Sequence, residues 1–342
     1  MPTYVLEGGA HAMLPAQPLT VRIRGAQVQA RARRTDGSDA AGVLNPGGGI
    51  LVVPSLTDGI VVRVEPAAGA DQFAPGSVLD ISVAPESRAE IDPDQATVSG
   101  VDVSGLSGRD LLRMEPEGGR VRVTALGIRV DTPLPPLAAA VRDAARRLLR
   151  VEAVSDREAV GLQVVVDASA STRALAESGD VTAAMEVLLG LSRVISGDRE
   201  FTALVGTTGH TPAPGEAVTL PGTVTDLIVD GALRTGFRPP AGAPSGAVQV
   251  VLSDAPVLTP AGSGTRRHGL LLAPRSTWPA LQGRRTGHTI VPVTERIGAQ
   301  AGGPGLADQL LHDENLLHTV TESLLRGILG NEPVDAMSGV AR

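Results

Sequence analysis

Leu162-Gln163-Val164-Val165-Val166-Asp167-Ala168-Ser169-Ala170-Ser171 is the stretch that decides how the second half of this chain is read. Its first five residues form an apolar run too short for a helix and too continuous for a half-exposed strand. That is what a strand covered on both faces of a parallel sheet requires. The run ends abruptly in an acid followed by hydroxyls at alternate positions. Alternate residues of an extended chain point the same way, so Asp167, Ser169 and Ser171 present three oxygens to one place.

Working outward, strands and helices alternate. Residues 181–195 carry Met185, Leu188, Leu189, Ser192 and Ile195 on one helical stripe. Strands are expected at 201–205, 248–252, 269–273 and 288–293, a short helix at 225–233, and a long closing helix at 306–329. Such alternation with right-handed crossovers predicts a doubly wound, mostly parallel open α/β sheet over residues 159–330, followed by a tail at 331–342. In that architecture ligands bind at the carboxyl ends of the strands. The 248–252 strand runs into Ser253-Asp254, and Pro221-Gly222-Thr223 reads as a turn opening a helix.

The first 130 residues read differently. Residues 19–24, 28–33 and 61–65 alternate apolar and polar, and 50–53, 78–83 and 120–124 are further short strands. Asp36-Gly37 and Glu117-Gly118-Gly119 are turn signals. Closely spaced strands with no helical period predict an all-β sandwich or small barrel, with surface loops at 67–76 and 84–97. Asp131-Thr132-Pro133-Leu134-Pro135-Pro136 is a stiff linker. It leads into an amphipathic helix, completing a 131–158 connection, whose Arg142, Arg146, Arg147 and Arg150 are expected on the solvated face.

Composition narrows the function classes. The chain has 342 residues, enough for two domains. It has no cysteine, and all 30 basic residues are arginine, because no lysine occurs. Disulfides, thiolate metal sites, cysteine nucleophiles, a P-loop lysine and Schiff-base chemistry are therefore excluded. Net charge is −7 and only five residues are aromatic, which argues against a nucleic-acid surface built on basic grooves and stacking platforms. No apolar run is long enough for a membrane helix, and the start lacks the pattern of a signal peptide; a cytoplasmic protein is expected.

A hard divalent cation such as Mg²⁺, or Mn²⁺ or Ca²⁺ in its place, takes about six oxygens and keeps some of its waters. Asp167, Ser169 and Ser171, joined by Thr223 and Asp254 from neighbouring strand ends, form such a set. A plainer reading of the same pentapeptide is a polar loop capping the next helix. His312 and His318 are six apart, the wrong interval for two ligands on one helical face, and His210 reads as a loop residue.

Asp-x-Ser-x-Ser after an apolar strand, then a threonine, then an aspartate, resembles the metal-ion-dependent adhesion site of the von Willebrand factor type A domain family. The resemblance covers about residues 160–330. Carried over position by position, Asp167, Ser169 and Ser171 match the first motif, Thr223 the threonine, and Asp254 the aspartate. Ala255 stands where the family has glycine, and Thr225 rivals Thr223. The resemblance implies a non-enzymatic adaptor that binds an acidic residue of a protein partner through the cation, the partner being an ATPase or assembly component. Two other readings are a structural subunit with a vestigial site and a metal-assisted hydrolase. The hydrolase needs a general base that the motif does not supply.

Overall fold

Alternation of apolar and polar residues builds the first half of the chain. The computed structural model describes residues 3–67, 69–86, 94–126, 133–197, 199–256, 266–277, 288–293 and 304–330. The chain divides into two units, Met1–Thr132 and Pro133–Arg342. The expected tail at 331–342 lies outside the described residues.

The first unit has eleven strands among its described residues: β1 (Thr3–Val5), β2 (His11–Pro15), β3 (Leu19–Gly25), β4 (Val28–Arg34), β5 (Leu44–Gly47), β6 (Ile50–Val53), β7 (Ile60–Pro66), β8 (Val78–Pro85), β9 (Gln95–Asp102), β10 (Arg109–Glu117) and β11 (Arg120–Ala125). They form two sheets, ordered β1-β9-β8-β3-β6-β5 and β2-β11-β10-β7-β4. Every pairing is antiparallel except β1 with β9. Inward residues of both sheets, among them Val21, Leu51 and Ile81 from one and Val62, Leu112 and Met114 from the other, share a single apolar core.

The second unit carries β12 (Gly161–Asp167), β13 (Phe201–Gly206), β14 (His210–Pro212), β15 (Ala247–Ser253), β16 (Arg267–Pro274) and β17 (His288–Val293). Its helices are α1 (Pro136–Leu149), α2 (Ala170–Glu177), α3 (Asp180–Ile195), α4 (Leu220–Val229), α5 (Leu306–His312) and α6 (Glu314–Leu329). The sheet order is β14-β13-β12-β15-β16-β17, parallel throughout except for the short edge strand β14. Strand order reverses at β12, whose neighbours β13 and β15 lead to opposite edges. A cavity lined by Asp167, Ser253 and Asp254 lies beyond the carboxyl ends of β12 and β15.

One face of this sheet, through Leu162, Val164, Val166, Val250, Leu252, Leu270 and Val291, shares one apolar cluster with residues of all six helices. The opposite row is buried too, with Val165 and Val251 almost wholly covered. On that face, among the described residues, an extended segment after α4 rather than a helix crosses the sheet. Gln249 donates to Gly242 O at 3.2 Å and Arg267 to Pro240 O at 2.6 Å. Asp167 and Ser253 belong to this row, being an even number of residues from Val165 and Val251.

Four local expectations are corrected. The surface loop expected at 84–97 is strand at both ends, because β8 runs to Pro85 and β9 starts at Gln95 with Ala96 buried. The helix expected at 225–233 begins earlier, at Leu220, and ends at Val229. Pro221 sits in its first turn, where a missing N–H costs nothing, and Leu233 is exposed. The closing helix is two, broken at Asp313, whose backbone is extended and whose carboxylate accepts the Leu316 N–H at 3.0 Å to start α6. In α1, Arg142 and Arg146 are buried rather than solvated, because α1 packs on both α3 and α6. Arg142 meets Asp143 at 2.8 Å there.

The α1–α3 contact depends on Gly190. A Cβ at that position would lie 2.3 Å from the Ala138 carbonyl oxygen, so the backbones touch only because the side chain is absent. Gly190→Ala should lower stability by about 1–3 kcal/mol, despite better helix propensity, in urea denaturation. A second check concerns His268, buried on β16 with Nε2 2.8 Å from Thr289 Oγ1. Burial, with His288 nearby, lowers its pKa to about 4. The unfolded chain takes up this proton near pH ~6.5, so stability falls as pH drops from there through about 4. The loss reaches ~3 kcal/mol. Chemical denaturation across this range should show a shallower fall in His268→Gln than in the natural chain.

Candidate metal centre

The end of β12 puts a carboxylate where the sheet stops and the cavity begins. Asp167 is only 3% exposed, and an unpartnered carboxylate at that depth would be costly. It is held on both sides. The Ser169 N–H donates to Oδ1 at 2.8 Å, and the Ser253 hydroxyl donates to Oδ2 at 2.9 Å. The first bond closes the turn into α2, and the second ties the ends of β12 and β15. Burial nevertheless raises the Asp167 pKa; its two serine partners oppose that shift, and the charge of Asp254 adds to it. The two acids are thus close enough to repel.

Ser169 precedes α2 and Ser171 lies in its first turn. Their hydroxyl oxygens are 3.1 Å apart, and Ser169 Oγ is also 3.4 Å from Thr172 Oγ1. Asp254 follows β15; its carboxylate has no hydrogen bond or ion pair among the described residues. Asp167, Ser169, Ser171, Ser253 and Asp254 all line one cavity of about 720 Å³. Four of the five sequence-derived candidates are therefore brought together.

Thr223 is not among them. It stands inside α4, with its hydroxyl donating to Thr219 O at 3.1 Å, and it does not line this cavity. The cause is the earlier start of α4, which turns the expected loop threonine into a helical residue bonded back to its own helix. Thr225 is no substitute, since its hydroxyl lies 2.6 Å from Thr182 Oγ1 and donates to Pro221 O. Among the described residues no group of three or more histidines and acids is placed to hold a metal, so any cation here would rest on hydroxyls as well as carboxylates.

That donor set suits a hard cation. Two cis oxygens around Mg²⁺, each at about 2.1 Å, are about 3.0 Å apart, a spacing that the two serine hydroxyls, hydrogen-bonded to each other at 3.1 Å, already have. Two mutually repelling carboxylates add the charge that a divalent ion would neutralise.

The remaining wall comes from the segment after α4, which sequence reading left unassigned. Arg234 O accepts the Ala170 N–H at 2.9 Å, and the Arg238 N–H donates to Thr207 O at 2.9 Å. These backbone bonds lay residues 234–238 along the cavity, with Arg234, Phe237 and Arg238 lining it. Phe237 meets the His210 ring edge-on, with centroids 6.0 Å apart. His210 pairs with Gly206 on β13, which pairs with Asp167 on β12, so histidine and acid share one row across the sheet edge. Burial lowers the His210 pKa, against the pull of Asp167, and its Nε2 is buried without a hydrogen-bond partner.

No family model and no curated protein matches the chain. Among solved structures, human GIVD cytosolic phospholipase A2 in complex with methyl gamma-linolenyl fluorophosphonate inhibitor and terbium chloride aligns at 10% identity, over 57% of this chain and 46% of that one, with a TM-score of 0.13. This chain thus spans less than half of that protein, and a likeness at this level carries no argument about fold or function.

The Ser253 hydroxyl has a role that can be tested alone. Ser253→Ala leaves Asp167 Oδ2 buried without its donor and should destabilise the protein by about 1–3 kcal/mol at neutral pH. The urea midpoint should fall in Ser253→Ala and be restored largely by Ser253→Thr, which keeps the hydroxyl.

Proposed function

We propose that this chain is a non-enzymatic, metal-dependent interaction protein whose second unit is a type A domain. In this reading Ser169 and Ser171 hold a divalent cation, Mg²⁺ first among candidates, while Asp167 and Asp254 supply charge close by. The bound cation would offer an open position to a carboxylate oxygen from a protein partner. Asp167 has both oxygens occupied by Ser169 N–H and Ser253 hydroxyl, so it fixes the loop and sets the field. Asp254, without a hydrogen bond or ion pair among the described residues, is the acid of the pair left to face a ligand. Thr223 drops out of the donor set.

The supporting observation is the meeting of Asp167, Ser169, Ser171 and Asp254 at one cavity, with the serine oxygens at the spacing of a magnesium octahedron edge. The strand order 3-2-1-4-5-6 within the unit, with only the third strand antiparallel, agrees with this reading. So does the position of the cavity where that order reverses. An ATPase or assembly component as the partner remains a suggestion of the resemblance.

No helix among the described residues is long and apolar enough to cross a membrane, which is compatible with a partner met in solution.

Thermal unfolding with added MgCl₂ after chelation tests the reading. Magnesium at a hundred times its Kd should stabilise the protein by about 2.7 kcal/mol. The gain should vanish in Asp254→Ala, whose stability in chelator should stay near that of the natural chain, and in Ser169→Ala/Ser171→Ala, each variant being compared with itself in chelator. An identical gain in those variants would contradict the proposal.

A further inference from the structure

The cavity holds two charges of each sign, and they do not pair. Asp167 and Asp254 stand with the hydroxyls at the strand ends, while Arg234 and Arg238 line the same space from the segment after α4. Neither guanidinium has an ion pair or hydrogen bond among the described residues, although two acids line the cavity with them. Their backbones are not free to drift. The Ser169–Arg234 bridge, with Ala170 N–H on Arg234 O, fixes one end, and Arg238 N–H on Thr207 O fixes the other. Two exposed guanidinium groups on a backbone held at both ends, unpaired with these acids among the described residues, are suited to anions from outside.

The recess is open to solvent and has room for more than one anionic group. Cavities of roughly 300–1,000 Å³ enclose a whole drug-sized ligand. The 720 Å³ here exceeds what one carboxylate needs. Phe237, one of five aromatics in the chain, adds an apolar side chain to the same lining. Arginine and aromatic side chains around a recess are the composition of protein-recognition hot spots.

We propose that Arg234 and Arg238 form an anion clamp beside the cation position, and that the ligand is a short acidic peptide segment. One carboxylate of the segment would go to the cation and further carboxylates to the two arginines, with an intervening side chain against Phe237. This rests on the proposed function for the first carboxylate only. The clamp itself needs no metal, so the two can fail separately.

The test uses the full chain and a fluorescein-labelled octaglutamate peptide, with octaglutamine as control, in MgCl₂ and in chelator. Octaglutamate should bind and octaglutamine should not. Arg234→Ala and Arg238→Ala should each weaken binding about tenfold or more, and should flatten its salt dependence. The ratio of affinities with and without magnesium should stay as in the natural chain. Both side chains are exposed and unpaired among the described residues, so urea midpoints should hardly move, which separates lost binding from lost folding. Arg238→Lys should fall in between, because it keeps charge but not the fork. Binding that needs the arginines but ignores magnesium would sustain the clamp and sink the metal reading. Magnesium-dependent binding that both alanine variants retain in full would overturn the clamp. Displacement of the peptide by an equal concentration of inorganic phosphate would also overturn it, by assigning the arginines to phosphoryl groups.

Discussion

A buried carboxylate that repels its neighbour organises the carboxyl end of the second sheet. Asp167 has almost no exposure, and two serine donors hold it at the end of β12. These bonds lower the cost of its charge without removing it, since burial and Asp254 still raise its pKa. The result is a buried acid, held at both oxygens, with hydroxyls beside it. The same two bonds do structural duty. One sets the turn into α2 and so the positions of Ser169 and Ser171; the other joins β12 to β15 at the point of strand reversal. Fold and site therefore share the same hydrogen bonds.

The face on which this acid lies matters equally. All six described helices join the apolar cluster of the other face. An extended proline- and glycine-containing segment crosses the sheet on the Asp167 side, where Gln249 and Arg267 bind its carbonyl oxygens. An extended cover leaves a recess that a packed helix would fill. The recess is lined on one side by acids and hydroxyls and on the other by arginines. His210 lies in the same row as Asp167 two strands away, close enough for the Asp167 charge to act on its imidazole.

How far the sequence reveals this varies with the kind of interaction. β12, β13, β15, β16 and β17 are legible because each is a short apolar run, and α3 because its stripe is regular. In the first unit β10 escapes, since consecutive buried Leu111 and Leu112 at a register shift break the alternation. β5 is exposed throughout and contains Pro46, so it carries no apolar signal. Burial of Arg142 and Arg146 is invisible because their cover comes from distant helices. At the site, Asp167, Ser169, Ser171 and Asp254 are legible because they follow strand ends directly. Thr223 fails because a one-turn shift of a helix start exchanges loop for helix. The arginine wall is placed by backbone hydrogen bonds, which no side-chain pattern announces; the lone aromatic between two arginines, Arg234-Thr235-Gly236-Phe237-Arg238, was the available clue.

The central claim is that oxygens at the end of β12 and after β15 hold a divalent cation. The most direct measurement is an anomalous difference map from crystals of the full chain soaked in MnCl₂. The account predicts one strong peak within coordination distance, about 2.2 Å, of both Ser169 Oγ and Ser171 Oγ and on the side facing Asp254. A peak elsewhere with none at these serines, at manganese concentrations that saturate the crystal, would contradict it.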